Sequence, residues 1–171
     1  KLCQANGQFS VIVKKNDELW VATDRLRTVP LFYHSEKDEV IIGDSAYAVA
    51  DEMKESGIDE EAASQFLASG YTLNNLTLIK DLFQVEPGEI AVFKKSVSRR
   101  FYHDYSTGTV AEGSFDTFAL ELTEIITGLF CDHFSALKEK FIVIPLSGGY
   151  DSRLIATMCK RFHPDNVLCY T

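Results

Sequence analysis

Residues 141–161 constrain the fold most, because they join two patterns of different period through a pair of glycines. The apolar run at 141–146 (FIVIPL) has the length and composition of a buried strand, and helical spacing follows from about 151 to 161. Residues 163–166 (HPDN) end that helix, and 167–170 open another strand. Strand, helix and strand with short connections predict a right-handed parallel βαβ unit of the α/β class.

The corner between this strand and helix, SGGYDS at 147–152, has the composition of an anion site. Gly148 and Gly149 let the backbone approach an anion closely beside a helix N-terminus, and Ser147 and Ser152 add hydroxyl donors. Asp151 would repel a phosphate unless a divalent cation stood between them, so the set suggests a magnesium-bound polyphosphate. From these residues alone, a plain tight turn with a capping serine is the alternative.

A long amphipathic helix is predicted ahead of this unit. Its start can be capped by Ser114, and the lysines of residues 138–140 suit its C-terminal end. Its apolar residues recur at helical spacing on one stripe, which comprises Phe115, Phe118, Leu122, Ile125, Leu129 and Leu137.

Residues 1–104 are rich in strand signals and predict an α+β layer. Alternating apolar residues predict one hairpin from 8–13 and 19–23, and a second from 31–33 and 40–42 around residues 36–38. The Pro87-Gly88 pair predicts a third, between 82–85 and 89–93.

Two helices are predicted to interrupt these strands. One covers about 45–54 with Ser45 as its cap, and the other covers 59–69, between a capping Asp59 and Gly70. Residues 105–113 (YSTGTVAEG) are polar and contain glycine, so they are predicted to be a linker between two domains.

Charge and composition narrow the classes of partner. The net charge of −8 argues against a nucleic-acid-binding surface, and no apolar run approaches the length of a membrane span. Cys3, Cys131, Cys159 and Cys169 show no CxxC pairing, so they are interpreted as reduced thiols of a cytoplasmic protein. Asp24 and Arg25 are predicted to form a salt bridge at a hairpin end.

Four segments, in order, resemble the asparagine synthetase family. LSGGYDSRL at 146–154 is similar to the SGGxDS pyrophosphate loop of the N-type ATP pyrophosphatases, in its asparagine-synthetase form. Upstream, NGQFSVIV at 6–13 and ATDRLRTVPLFYH at 22–34 resemble segments of the glutamine-hydrolysing half. FLASGYTLNNLTLIKDLFQVEPGEIAVF at 66–93 resembles the helix, glycine and Pro-Gly turn late in the class II glutamine amidotransferase domain.

The resemblance implies an internal piece of a longer enzyme. Residues 1–104 would be the C-terminal part of a class II glutamine amidotransferase domain, in the late part of an N-terminal-nucleophile glutaminase layer. Residues 114–171 would be the first βαβ unit of a parallel-sheet ATP pyrophosphatase domain. Such an enzyme forms an amide from a carboxylate, expected to be aspartate, with ATP and glutamine-derived ammonia, through an acyl adenylate.

The resemblance also implies roles for the residues of the loop. Ser147, Gly148, Gly149 and Ser152 would hold the pyrophosphate of ATP, Asp151 would bind Mg²⁺, and Leu146 would lie against the adenine end. No glutaminase nucleophile is expected in this chain, and Cys3 is interpreted as a packing residue.

Two departures from the family pattern leave alternatives open. Tyr150 and Arg153 stand where asparagine synthetases more often have Leu and Ser. The acceptor could therefore be another carboxylate, such as a peptide or sugar-linked acid.

A different class of function is a non-catalytic module that associates through exposed sheet edges, with a partner or as a homodimer. The chain alone is expected to show no turnover.

Overall fold

The computed structural model of the protein describes residues 2–37, 39–54, 56–106, 108, 110–137, 140–162 and 165–171. The chain divides into two compact units, residues 1–106 and 107–171. Among the described residues, no helix is both long enough and apolar enough to cross a membrane.

The first unit combines antiparallel sheets with α-helices, after a short 3₁₀ helix at Leu2–Gln4. Its elements are β1 (Ser10–Lys15), β2 (Glu18–Thr23), β3 (Phe32–Glu36), β4 (Glu39–Gly43), α1 (Ala46–Asp51), α2 (Glu60–Ser69), β5 (Phe83–Gln84), β6 (Glu89–Phe93) and β7 (Val97–Phe101). One sheet has the order β1-β2-β6-β7 and the other has the order β4-β3-β5.

The first two predicted hairpins are confirmed. β1 pairs with β2, with Val13 opposite Trp20, and β3 pairs with β4, with Tyr33 opposite Ile42. Asn16, in the first turn, has a φ of 55°, a left-handed conformation that asparagine tolerates better than most residues. Asp38, which was predicted to lie in the second turn, is outside the described residues.

The third predicted hairpin is wrong. β5 pairs with β3, whereas β6 pairs with β2 and β7, so the Pro-Gly turn carries the chain from one sheet to the other. The turn binds the end of β2: the Gly88 N–H donates to the Asp24 carbonyl at 3.0 Å, and the Thr23 hydroxyl donates to the Glu86 carbonyl at 2.7 Å. A Pro-Gly turn specifies a change of direction but not a pairing partner.

The main core of this unit lies between the two sheets. Tyr33 of one sheet meets Phe93 of the other edge to face, with ring centroids 4.9 Å apart. The buried residues of this cluster are Val21, Leu31, Tyr33, Val85, Ala91 and Phe93. The α+β prediction for this part of the chain therefore agrees with its mixture of helices and antiparallel sheets.

The predicted helix caps are confirmed. The Ser45 hydroxyl accepts from the Ala48 N–H at 3.4 Å, and the Asp59 carboxylate accepts from the Ala62 N–H at 2.8 Å. Gly70 ends α2 in the left-handed conformation, with a φ of 84°. α1 ends at Asp51, a little before its predicted end at residue 54.

The second unit contains α3 (Phe115–Ala136), β8 (Ile142–Pro145), α4 (Tyr150–Phe162) and β9 (Val167–Tyr170). β8 and β9 pair in parallel on either side of α4 in the sequence, with Ile144 opposite Cys169, so the predicted parallel pairing is confirmed. Ser114 caps α3 by accepting from the Thr117 N–H at 3.2 Å. Lys138 and the His163-Pro164 pair, which were predicted to end the two helices, lie outside the described residues.

Most of the predicted apolar stripe of α3 is exposed. Leu122, Ile125 and Leu129 are 57%, 60% and 57% accessible. A neighbouring stripe packs instead against the buried Ile144, Met158 and Cys159, and it consists of Ile126, Phe130 and Phe134, joined at the helix end by Leu137 of the predicted stripe. α3 is apolar over two adjacent stripes, and periodicity alone does not determine which of them meets the strands.

All four cysteines are free thiols. Cys159 is buried, and its thiol pKa is raised by burial and by the nearby Cys169. Cys3 is exposed, so its interpretation as a packing side chain is wrong. The contact at this position is made by the backbone, since the Cys3 carbonyl accepts from the Arg25 guanidinium at 2.9 Å.

Candidate functional site

The SGGYDS loop lies where β8 ends and α4 begins. The Leu146 N–H donates to the Tyr170 carbonyl at 2.7 Å, so the hydrogen-bond ladder of the two parallel strands continues beyond Pro145. Leu146 itself is half-buried. This ladder fixes the point from which the loop departs, at the carboxyl edge of the two strands.

The two glycines give the loop its tight path. Gly148 has a φ of +75°, a conformation that strains any residue with a Cβ, and no atom lies within 4 Å of where a Cβ would stand. A Cβ on Gly149 would lie 3.5 Å from the Ser147 hydroxyl. The loop therefore leaves open space beside its backbone, as close approach of an anion requires.

The two serines meet across the loop. The Ser147 and Ser152 hydroxyl oxygens are 3.3 Å apart, and the Ser152 hydroxyl donates to the Gly149 carbonyl at 3.3 Å. α4 is 13 residues long, and its first-turn N–H groups lie at the same end as these hydroxyls. The sequence-predicted donors are thus brought together in one place.

Asp151 provides the one carboxylate within the loop sequence. It is exposed and lies in the first turn of α4, and it makes no hydrogen bond or ion pair with another described residue. No group of three or more His, Cys, Asp or Glu residues that could hold a metal occurs in the described part of the chain. A single carboxylate can be enough for Mg²⁺, because Mg²⁺ typically keeps several waters and binds substrate phosphates as well. It is too few for a metal held by protein ligands alone.

The two residues that depart from the family pattern touch each other. The Arg153 guanidinium carbon lies 4.8 Å from the centre of the Tyr150 ring, and Arg153 Nε donates to the Gly149 carbonyl at 3.3 Å. Sequence reasoning treated Tyr150 and Arg153 as separate substitutions. A spacing of three residues in a helix places both on one side, and this signal could have linked them.

In the first unit, Asp24 organises the loop between β2 and β3. Its carboxylate accepts from the Phe9 N–H at 3.1 Å, the Leu26 N–H at 2.9 Å, and the Thr28 N–H and hydroxyl at 3.0 Å each. Burial disfavours the charged form, but the bonds from Leu26, Phe9 and Thr28 outweigh it and hold the Asp24 pKa below its usual range. The predicted Asp24–Arg25 salt bridge is wrong.

A buried charge cluster in the same unit was missed by sequence reasoning. Glu89 is fully buried, and its carboxylate accepts from Arg99 Nε and from the Glu86 N–H, the latter at 2.6 Å. Arg99 also pairs with the Glu86 carboxylate. The sequence pattern gave residues 97–101 no pairing partner, so the position of Arg99 opposite Ala91 of β6 could not be inferred.

Comparison with known proteins identifies the first unit. A glutamine amidotransferase domain family model matches residues 1–105. Asparagine synthetase [glutamine-hydrolyzing] 1 of Bacillus subtilis (strain 168) is 25% identical over 165 residues, which cover 92% of this chain and 25% of that protein. The chain thus spans about a quarter of the length of this curated relative. Because the family model covers more than half of the chain, the chain belongs to the glutamine amidotransferase domain family, as the resemblance predicted.

Proposed function

We propose that the chain is part of a glutamine-dependent synthetase that uses Mg-ATP to form an amide. Residues 1–104 would complete the glutaminase layer, residues 105–113 would link the domains, and residues 114–171 would begin an ATP pyrophosphatase domain. The observation that carries the proposal is the loop at 147–152, where glycine backbone, two hydroxyls and a helix N-terminus converge after a parallel strand. Family membership supports the glutamine-dependent half.

The proposed chemistry has two steps. An oxygen of the acceptor carboxylate attacks the α-phosphorus of ATP, the bond from that phosphorus to the bridging oxygen breaks, and pyrophosphate leaves with the electron pair. Ammonia then attacks the acyl carbon, the carbon–oxygen bond to AMP breaks, and a proton is released as the amide forms. Adenylation is needed because a free carboxylate is a poor electrophile.

The loop residues act on the leaving pyrophosphate. Ser147 and Ser152 would donate hydroxyl hydrogen bonds, while Gly148 and Gly149 would bring backbone N–H groups close to its oxygens. Such donors stabilise the charge that develops as the phosphorus–oxygen bond breaks. Leu146 would lie against the adenine. Asp151 would hold Mg²⁺, which when bound offsets the charge of the phosphate oxygens.

The acceptor is proposed to be aspartate, with a peptide or sugar-linked carboxylate as the alternative. The contact between Tyr150 and Arg153 supports this alternative, because these two side chains change the surface beside the loop relative to the family pattern.

The exposed stripe of α3 favours a second candidate function, which is association with a partner or in a homodimer. Size-exclusion chromatography with and without Mg-ATP separates the two: a monomer that binds nucleotide supports the synthetase, and a dimer indifferent to nucleotide supports association.

Calorimetric titration of the 171-residue chain with inorganic pyrophosphate and Mg²⁺ tests the loop directly. We expect binding by the wild type, weaker binding by S147A and S152A, and loss of the magnesium-dependent part in D151A. D165N, which changes an exposed carboxylate outside the loop, is the matched control. No measurable binding of pyrophosphate by the wild-type chain would overturn the proposal.

A further inference from the structure

Arg153 is folded back onto the loop that precedes its own helix. Its Nε donates to the Gly149 carbonyl at 3.3 Å, and its guanidinium carbon stands 4.8 Å from the Tyr150 ring centre. Tyr150 is 85% accessible, so this pair is not part of the core. Both contacts of the guanidinium are therefore with residues at the loop–helix junction itself.

Helix stability alone does not account for a cation at this position. Arg153 is the fourth residue of α4, where the positive end of the helix dipole disfavours a positive charge. Arg161 forms the same kind of pair with Phe162 at the other end of α4, at 4.9 Å, where the dipole favours a cation. The two pairs have similar distances, but the helix dipole disfavours the positive charge of Arg153 and favours that of Arg161.

The charge of Arg153 is also not neutralised by a protein carboxylate. Arg153 forms no ion pair with any described acidic residue, Asp151 included, and Nε is the one guanidinium nitrogen bonded to a described residue. Its terminal nitrogens thus keep N–H groups for another acceptor. A neutral serine, the residue more common here in the resembled family, would offer neither the charge nor these donors.

We propose that Arg153, held by Tyr150, is a positioning residue that tunes the loop toward polyphosphate. The bond from Nε adds to those that the Gly149 carbonyl accepts from the Ser152 hydroxyl and the Arg153 N–H, each at 3.3 Å, and so helps to hold that oxygen. The guanidinium also adds a positive charge beside the loop, which offsets the negative charge of Asp151. A ligand with several negative charges, such as pyrophosphate, gains more from this charge than a single phosphate does. The inference rests on the proposed function of the loop.

Titration with pyrophosphate and with orthophosphate, at low and at high salt, tests this role in the 171-residue chain. R153Q should weaken pyrophosphate binding about tenfold, because it removes the positive charge beside the loop, and should reduce the salt dependence of binding. R153K should recover part of the affinity because it restores the charge, and orthophosphate binding should change less in both variants. Y150F should bind like the wild type, whereas Y150L should bind more weakly because the guanidinium loses its aromatic support.

R161Q is the matched control, because it removes the same kind of pair at the distant end of α4 and should leave binding unchanged. Circular dichroism shows whether each variant keeps its helices. If the wild type binds pyrophosphate and R153Q binds it within about twofold, or if R161Q weakens binding as much as R153Q, the inference is overturned. If the wild type binds no pyrophosphate, the proposed function fails first, so the two failures are distinguishable.

Discussion

Removing the Asp24 carboxylate should destabilise the first unit strongly. Four hydrogen bonds of 2.9–3.1 Å converge on a side chain in a residue that is 3% accessible. A hydrogen bond to a charged group contributes about 1.5–3 kcal/mol, but Leu26 and Thr28 are exposed, so their N–H groups can bind water in the variant. We therefore expect D24A to lower the free energy of unfolding by about 3 kcal/mol rather than by the full sum.

Urea denaturation followed by the fluorescence of Trp20 measures this loss, because Trp20 is the chain's one tryptophan and lies in β2. The loss corresponds to a melting temperature lower by roughly 15 °C for a unit of this size. D17N, in the exposed turn between β1 and β2, is the control and should change little. A loss below about 0.5 kcal/mol in D24A would refute the view that this carboxylate organises the loop.

The pH dependence of the free energy of unfolding independently checks the direction of the Asp24 effect. Because the folded-state pKa of Asp24 is lowered, its contribution is fully present above the unfolded-state value of about 4. The contribution is lost as the pH falls through the lower folded-state pKa. The stability difference between wild type and D24N should therefore be constant near neutral pH and shrink in acid below about pH 4. A difference that grows on acidification would contradict this reasoning.

Three further substitutions probe the turn and the loop. Glu89→Gln should lower the free energy of unfolding by about 2 kcal/mol in urea denaturation, because Arg99 loses a buried carboxylate partner. Gly88→Ala should lower it by at least about 2 kcal/mol in calorimetric melting, because its Cβ would lie 2.9 Å from the His103 carbonyl oxygen at a φ of +68°. Gly148→Ala should lower stability by only about 1 kcal/mol, yet weaken pyrophosphate binding about tenfold in titration, because its Cβ would fill the open space beside the backbone.

Gly57→Ala is the control for both glycine substitutions, because its Cβ would meet no atom within 4 Å and its φ lies outside the left-handed region. Melting of Gly88→Ala at the wild-type temperature would contradict the steric argument. Tight pyrophosphate binding by Gly148→Ala would show that the open space beside the loop is not used.

Local features were predictable from sequence where one residue determines the geometry. Asp59 and Gly70 bracket α2 because a carboxylate cap and a left-handed glycine each satisfy backbone groups at a helix end. The parallel pairing of β8 and β9 was likewise predictable, because a helix between two short strands leaves few arrangements.

Features that depend on distant partners were not predictable. The turn at Gly88 binds residues at the end of β2, more than sixty positions earlier, and no local pattern specifies that choice. The same holds for Asp24, whose carboxylate binds backbone N–H groups rather than the adjacent Arg25. At the candidate site, the proximity of the Ser147 and Ser152 hydroxyls followed from the motif, whereas the contact of Arg153 with Tyr150 depends on the folded helix.

The bond from the Leu146 N–H to the Tyr170 carbonyl joins the start of the loop to the last residue of β9. The loop and α4 therefore lie within a closed circuit of chain whose two ends are tied by this hydrogen bond, at the end of the ladder between β8 and β9. A ligand that rigidifies the loop should slow the opening of this circuit. Hydrogen exchange at the Leu146 amide would then report occupancy of the loop by pyrophosphate, through a bond that lies in the strand ladder.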